Sequence, residues 1–146
     1  NDFVDGELGR MPLQNNMYHV IIKFWIKILH SEPKKYIRII YNMLYQDVLL
    51  KPLVKNWCSL VRDLLFTLGF PEVWFYQTVG DENLFLTLIK QRINDRFIEN
   101  WRRRLETSTR AIFYKEIADF KFQPYLDILN IVHIRKPLTH LRVSSH

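Results

Sequence analysis

The sequence holds a single cysteine, Cys58, in 146 residues. One thiol excludes an intramolecular disulfide and any cysteine-rich zinc site. Glycine (4) and proline (6) are too scarce for a loop-dominated fold or a low-complexity linker. The longest run free of Asp, Glu, Lys and Arg is Met11 to Ile22, and it still contains Asn15, Asn16 and His19. That falls well short of the roughly 18 apolar residues a membrane-spanning helix needs. Internal repeats are missing, and so is any strand-like alternation longer than four residues. There is no glycine-rich phosphate loop, no Gly-x-Ser-x-Gly elbow and no aromatic-x-Asp-Asp. The last is the pattern that places two metal-binding carboxylates in a template-directed polymerase. No complete active site is legible, so we expect this segment not to be an enzyme and to carry no cofactor.

What is present is apolar and basic. Hydrophobic residues make up 48% and aromatics 14%, too much for a disordered segment. Lys and Arg number 21 against 15 Asp and Glu, a net charge of +6. The length suits one domain of the common size of about 100–200 residues. The chain begins without Met and ends Ser144-Ser145-His146; we expect a piece of a longer protein, with residues 1–146 as a single helical domain.

Helical periodicity dominates. From Asn16 to His30 the polar positions Asn16, His19, Lys23, Lys27 and His30 fall within about 80° on a helical wheel, which predicts a helix buried on most sides. Lys34, Lys35, Arg38, Asn42 and Gln46 form the wet stripe of a second helix, opposite Ile37, Ile40 and Leu44. A third helix spans about Asn56 to Leu68, with Trp57, Leu60, Val61, Leu64, Leu65 and Leu68 facing the core and Gly69 as its C-cap. Pro71 opens a short helix through Tyr76, and Asp81 is the N-cap of a long one reaching about Glu106. Further helices are predicted from Arg110 to Phe120, Pro124 to Asn130 and Pro137 to His146. Val48-Leu49-Leu50 and Ile131 to Ile134 are the two places where a short extended piece competes. The expected class is all-α, a single irregular bundle of about seven or eight helices with one long arginine-rich helix.

That long helix is the most informative element. Ile93, Phe97, Trp101 and Leu105 recur every four residues as an apolar ridge. Roughly opposite, Arg92, Arg96 and Arg103 lie within about 40° of one another. Arg102 and Arg104 flank them, and Lys90 and Arg110 extend the basic region. An arginine row on a rigid rod suits a phosphate backbone, because guanidinium donors match phosphate oxygens two at a time. The same pattern also describes a solvated face laced by ion pairs such as Glu99–Arg103 and Arg92–Asp95. Lys23, Lys27, Lys34, Lys35 and Arg38 make a second basic group on two successive helices. Helical spacing assigns Trp25, Trp57, Trp74 and Trp101 to the core, with Phe75 and Tyr76 the exposed pair. Cys58 is expected to be a small buried residue, not a nucleophile. His133, His140 and His146 are spaced by seven and six, which is not the spacing of zinc-binding helices, so no metal is expected. Glu116 and Asp119, beside Lys115 and Lys121, fit a surface carboxylate pair.

Several blocks carry a family likeness. They are Gly6-Glu7-Leu8-Gly9-Arg10-Met11-Pro12-Leu13, Ile22 to Leu29, Asn56 to Val61, Leu68 to Trp74, Gln123-Pro124-Tyr125-Leu126 and Leu138 to His146. Together the chain resembles the segment following the polymerase core in LINE-type (non-LTR) retrotransposon reverse transcriptases. One departure is Asp5, where the pattern has an aromatic. The resemblance implies an intracellular protein, nuclear or cytoplasmic, whose parent is an RNA-directed DNA polymerase. It implies endonuclease and polymerase domains upstream and a Cys/His zinc knuckle downstream, none of whose catalytic or metal residues lies in these positions. It further implies a non-catalytic helical region that supports template RNA and target DNA and packs on the polymerase domain. Arg92, Arg96, Arg102, Arg103, Arg104 and Arg110 would then be the backbone-binding residues, without sequence specificity. The competing reading is a helical protein–protein interaction module with no nucleic-acid role.

Overall fold

The computed structural model describes residues 2–109, 111–129 and 132–143. Among them, nine helices form: α1 (Asp2–Leu8), α2 (Leu13–Leu29), α3 (Tyr36–Leu50), α4 (Trp57–Leu68), α5 (Pro71–Tyr76), α6 (Glu82–Thr107), α7 (Tyr114–Ile117), α8 (Tyr125–Ile128) and α9 (Val132–Val143). The fold is all-α, and the only extended pairing among the described residues is an isolated bridge between Leu8 and Phe122. The helix beyond expectation is α1. The chain divides into two compact units, Leu13–Ile93 and a second built from Asn1–Pro12 with Asn94–His146. The division falls inside α6.

In the Leu13–Ile93 unit, Ile22, Trp25 and Ile26 of α2 are wholly buried. Trp25 stacks near Trp74 at 6.5 Å between ring centroids and donates its indole N–H to the Tyr41 hydroxyl at 2.9 Å. Burial on most sides does not hold for α2. Leu13, Met17, Val20 and Phe24 form an exposed stripe, because the cover from α3 and α4 reaches only the other side. The seam of α3 also differs from expectation. Ile37 and Ile40 are exposed, while Tyr41 and Val48 are buried. Arg38 lies on the inner side with Tyr41, one turn on, and reaches back to the Ile28 carbonyl at the C-terminal end of α2 (3.2 Å).

Local signals set the next elements. Asn56 and Ser59 form a reciprocal capping box at the start of α4, each side chain accepting the other's backbone N–H at 2.9 Å. Gly69 ends α4 in the left-handed conformation, at φ 86°. Leu60 is exposed, and Cys58 takes the core position. Burial pushes the Cys58 thiol up to about 12, so it is inert. Pro71 begins α5, which leaves Phe75 and Tyr76 exposed. Asp81 caps α6 by accepting the Leu84 N–H at 2.7 Å, and Phe85, Ile89 and Ile93 complete this core.

The second unit is centred on Trp101, Leu105, Ala111 and Tyr114. The indole N–H of Trp101 donates to the Asp2 carbonyl at 2.6 Å, and its ring meets Phe120 edge-on at 5.1 Å. The expected helix from Arg110 to Phe120 shrinks to the four residues of α7. Helix α9 starts at Val132, earlier than expected, and carries Pro137 inside it. The extended alternative for Val48–Leu50 fails, since those residues are helical, as are Val132–Ile134; Ile131 lies outside the described residues.

Close packing of α1 depends on Gly6. A Cβ there would lie 2.5 Å from Trp101 Cζ2 and 2.7 Å from the Tyr114 hydroxyl. Both rings are buried and have nowhere to move. Gly6→Ala is therefore expected to cost about 1–3 kcal/mol. Urea denaturation would read the loss, with faster amide exchange in α1; an unchanged midpoint would refute the close approach.

Candidate nucleic-acid interface

The segment Asn94–Thr107 of α6 presents most of the expected arginines. Its apolar ridge is anchored: Trp101 and Leu105 are buried, and Phe97 packs edge-on to Phe120 at 5.6 Å. Arg96, Arg102, Arg103 and Arg104 are all exposed. They are not equivalent. Arg104 is engaged by Asp2, with Nη2 at 2.7 Å and Nε at 2.9 Å from Oδ1, and its guanidinium covers Phe97 at 5.8 Å. Arg103 donates to the Asn100 side chain. The Lys121 ammonium, bonded to Asp119 at 2.5 Å, holds that carboxylate below its ordinary range, with a smaller contribution from the Arg102 charge.

Acidic groups interleave with this face. Asp95, Glu99 and Glu106 share a shallow groove of about 680 Å³ with Ile98, Arg102 and Arg103. The site therefore carries alternating sign along the helix, with Arg96, Arg102 and Arg103 exposed on it.

Arg92 belongs to the other unit, where its guanidinium lies 5.9 Å from the Phe70 ring centroid. Arg110 lies outside the described residues.

The second basic group divides by role. Arg38 is committed to the α2 carbonyl, whereas Lys23, Lys27 and Lys35 line one groove. Burial first, then the charges of Lys90 and Lys23, hold the His19 imidazole below its usual value.

Among the described residues no group of His, Cys, Asp and Glu converges to hold a metal ion. His133 and His140 are exposed, and His146 lies outside the described residues. Glu116 and Asp119 are surface residues. No helix among the described residues is long and apolar enough to cross a membrane.

Sequence reasoning missed one constellation entirely. Glu7 of α1 is buried, its side chain only 6% exposed, and is gripped by Arg142 of α9: Nη2 lies 3.1 Å from Oε1 and Nε 3.2 Å from Oε2. The Tyr125 hydroxyl donates to Glu7 Oε2 at 2.5 Å, and the backbone N–H of Gln123 donates to the Glu7 carbonyl at 2.9 Å. Burial, reinforced by the Glu7 charge, holds the Tyr114 phenol above its ordinary value. Three of the sequence blocks quoted above meet at this carboxylate, and the first lies more than a hundred positions from the other two. The only advance signal was a lone Glu between two glycines.

With this geometry in hand, comparison with known proteins adds no relative: no family model, curated protein or solved structure matches the chain.

Proposed function

We propose that this chain is a non-catalytic helical region of a reverse transcriptase of the LINE-type class, contacting RNA or DNA through phosphates without reading sequence. The observation that supports the reading is the set of exposed guanidinium groups of Arg96, Arg102 and Arg103 on α6, whose other side is fixed by buried Trp101 and Leu105. A rigid backing spares these side chains the cost of ordering the helix on binding. The interleaved Asp95, Glu99 and Glu106 limit affinity, which suits a supporting surface beside a polymerase more than a stand-alone binder. Packing on the polymerase domain of the same protein belongs to this reading.

The test is the salt dependence of binding. With a fluorescent single-stranded RNA, affinity is expected to fall steeply as salt rises, by counterion release. Changing Arg96, Arg102 and Arg103 together to Ala is expected to reduce the slope of log K against log salt by about 2, since each single-strand phosphate contact contributes about 0.7. Arg104→Ala serves as the contrast. It removes the Asp2 pair and the cover over Phe97, so it should lower stability and leave the slope nearly intact. A slope unmoved by the triple change would eliminate this face as the contact.

A further inference from the structure

The Leu13–Ile93 unit carries a groove of about 660 Å³ that the nucleic-acid reading does not use. Its floor is apolar: Val20, Phe24 and Ile28 from α2, with Ile37 from α3. Val20, Phe24 and Ile37 are 61%, 44% and 40% exposed, so this is open hydrophobic surface. The three α2 residues recur every four positions. The floor therefore runs about 12 Å along the helix, open at Val20 and Phe24 and ending on the buried Ile28.

The rim is cationic. Lys23, Lys27 and Lys35 line it, all exposed, and Lys23 and Lys27 stand one turn apart. The one carboxylate on the rim, Glu82, already faces His30 at 3.4 Å. Open apolar floor and unneutralised ammonium groups together select a ligand with an apolar stripe and flanking negative charge. Phe24 is the single ring on this floor, and Val20, Ile28 and Ile37 offer no flat face for successive bases to stack on, which disfavours a nucleic-acid strand.

We propose that this groove receives an amphipathic helix from a protein partner, with aliphatic side chains at i and i+4 filling the floor and Asp or Glu on its flanks meeting the three lysines. The mode is a helix laid in a groove, with anchors one turn apart. Charge complementarity sets the orientation and on-rate, and the apolar anchors supply the affinity. The inference stands apart from the phosphate reading, because it uses no residue of the Arg96–Arg103 face.

The test uses the 146-residue chain and a fluorescein-labelled synthetic peptide of about 14 residues, long enough to cover the floor with a turn to spare at each end. The peptide carries Leu at i, i+4 and i+8 and Glu on both flanks. Two control peptides have Lys in place of Glu, or the same composition scrambled. Fluorescence anisotropy is expected to show saturable binding of the acidic helix and roughly tenfold weaker binding of both controls. Val20→Asp, at an exposed position, and the paired change Lys23→Glu with Lys27→Glu are each expected to weaken binding by about tenfold. Circular dichroism melts of both variants should match the parent, which keeps a folding defect out of the reading. No binding of the acidic peptide, equal binding of the controls, or binding that survives both variants would overturn the proposal. So would a result in which the lysine change abolishes binding of single-stranded RNA or of anionic vesicles and leaves the peptide bound.

Discussion

Trp25→Ala is expected to lower the unfolding free energy by about 3–5 kcal/mol, the range for emptying a buried tryptophan site. Trp25 is fully enclosed among Ile22, Ile26 and the helices facing them, so the neighbours cannot collapse into the vacated volume without shifting α2. The change also strips the Tyr41 hydroxyl of the indole donor at 2.9 Å. Tyr41 keeps its bond to Gln77, so its oxygen is not orphaned. Trp25→Phe separates the two contributions. It retains most of the apolar fill and loses the indole N–H, so its cost should be clearly smaller. Urea denaturation would measure both, with the slope against urea unchanged if only stability moves. Equal effects of Ala and Phe would show that the hydrogen bond, and not the volume, dominates at this position.

The second large effect is expected at the buried ion pair. Arg142→Ala leaves the Glu7 carboxylate enclosed with the Tyr125 hydroxyl but without its cation, a loss of about 3–5 kcal/mol. Removing both charges should cost less than removing one. Glu7→Gln combined with Arg142→Met leaves no uncompensated charge, and the double-mutant cycle is expected to show strong favourable coupling. Additive single effects would mean that the two side chains do not act as a pair. Readouts located in α1 and α9, such as amide exchange, would place the effect in the unit that holds both residues.

Much of the fold was legible where the cause is local. Gly69 and Asp81 are caps whose chemistry acts within four residues, and each sits where the pattern put it; Asn56, read as the start of its helix, is in fact the cap just before it. The ridge of Ile93, Phe97, Trp101 and Leu105 was legible because helical periodicity survives any tertiary arrangement. Helix α1 was not. Asp2–Leu8 has little amphipathic pattern of its own and is held by Trp101, Arg104 and Arg142, all far away in sequence. Arg104 shows the same limit at the candidate site. A helical wheel sets it beside the other arginines but cannot reveal that Asp2 occupies it. Burial on α2 and α3 was overestimated for a related reason: periodicity identifies which side is apolar, and it says nothing about how many neighbours arrive to cover it. Val20, Phe24 and Ile40 remain open on that account.

The link between Glu7 and Arg142 has a consequence for biosynthesis. As the ribosome makes this segment, α1 is synthesised well before Trp101, Gln123, Tyr125 and Arg142. The buried core of the Leu13–Ile93 unit is drawn from that stretch alone and is free to condense early, whereas Glu7 must wait for Arg142, 135 positions further on. A premature stop before Arg142 would therefore strand a finished segment beside a leading helix whose acidic side chain has no counterpart.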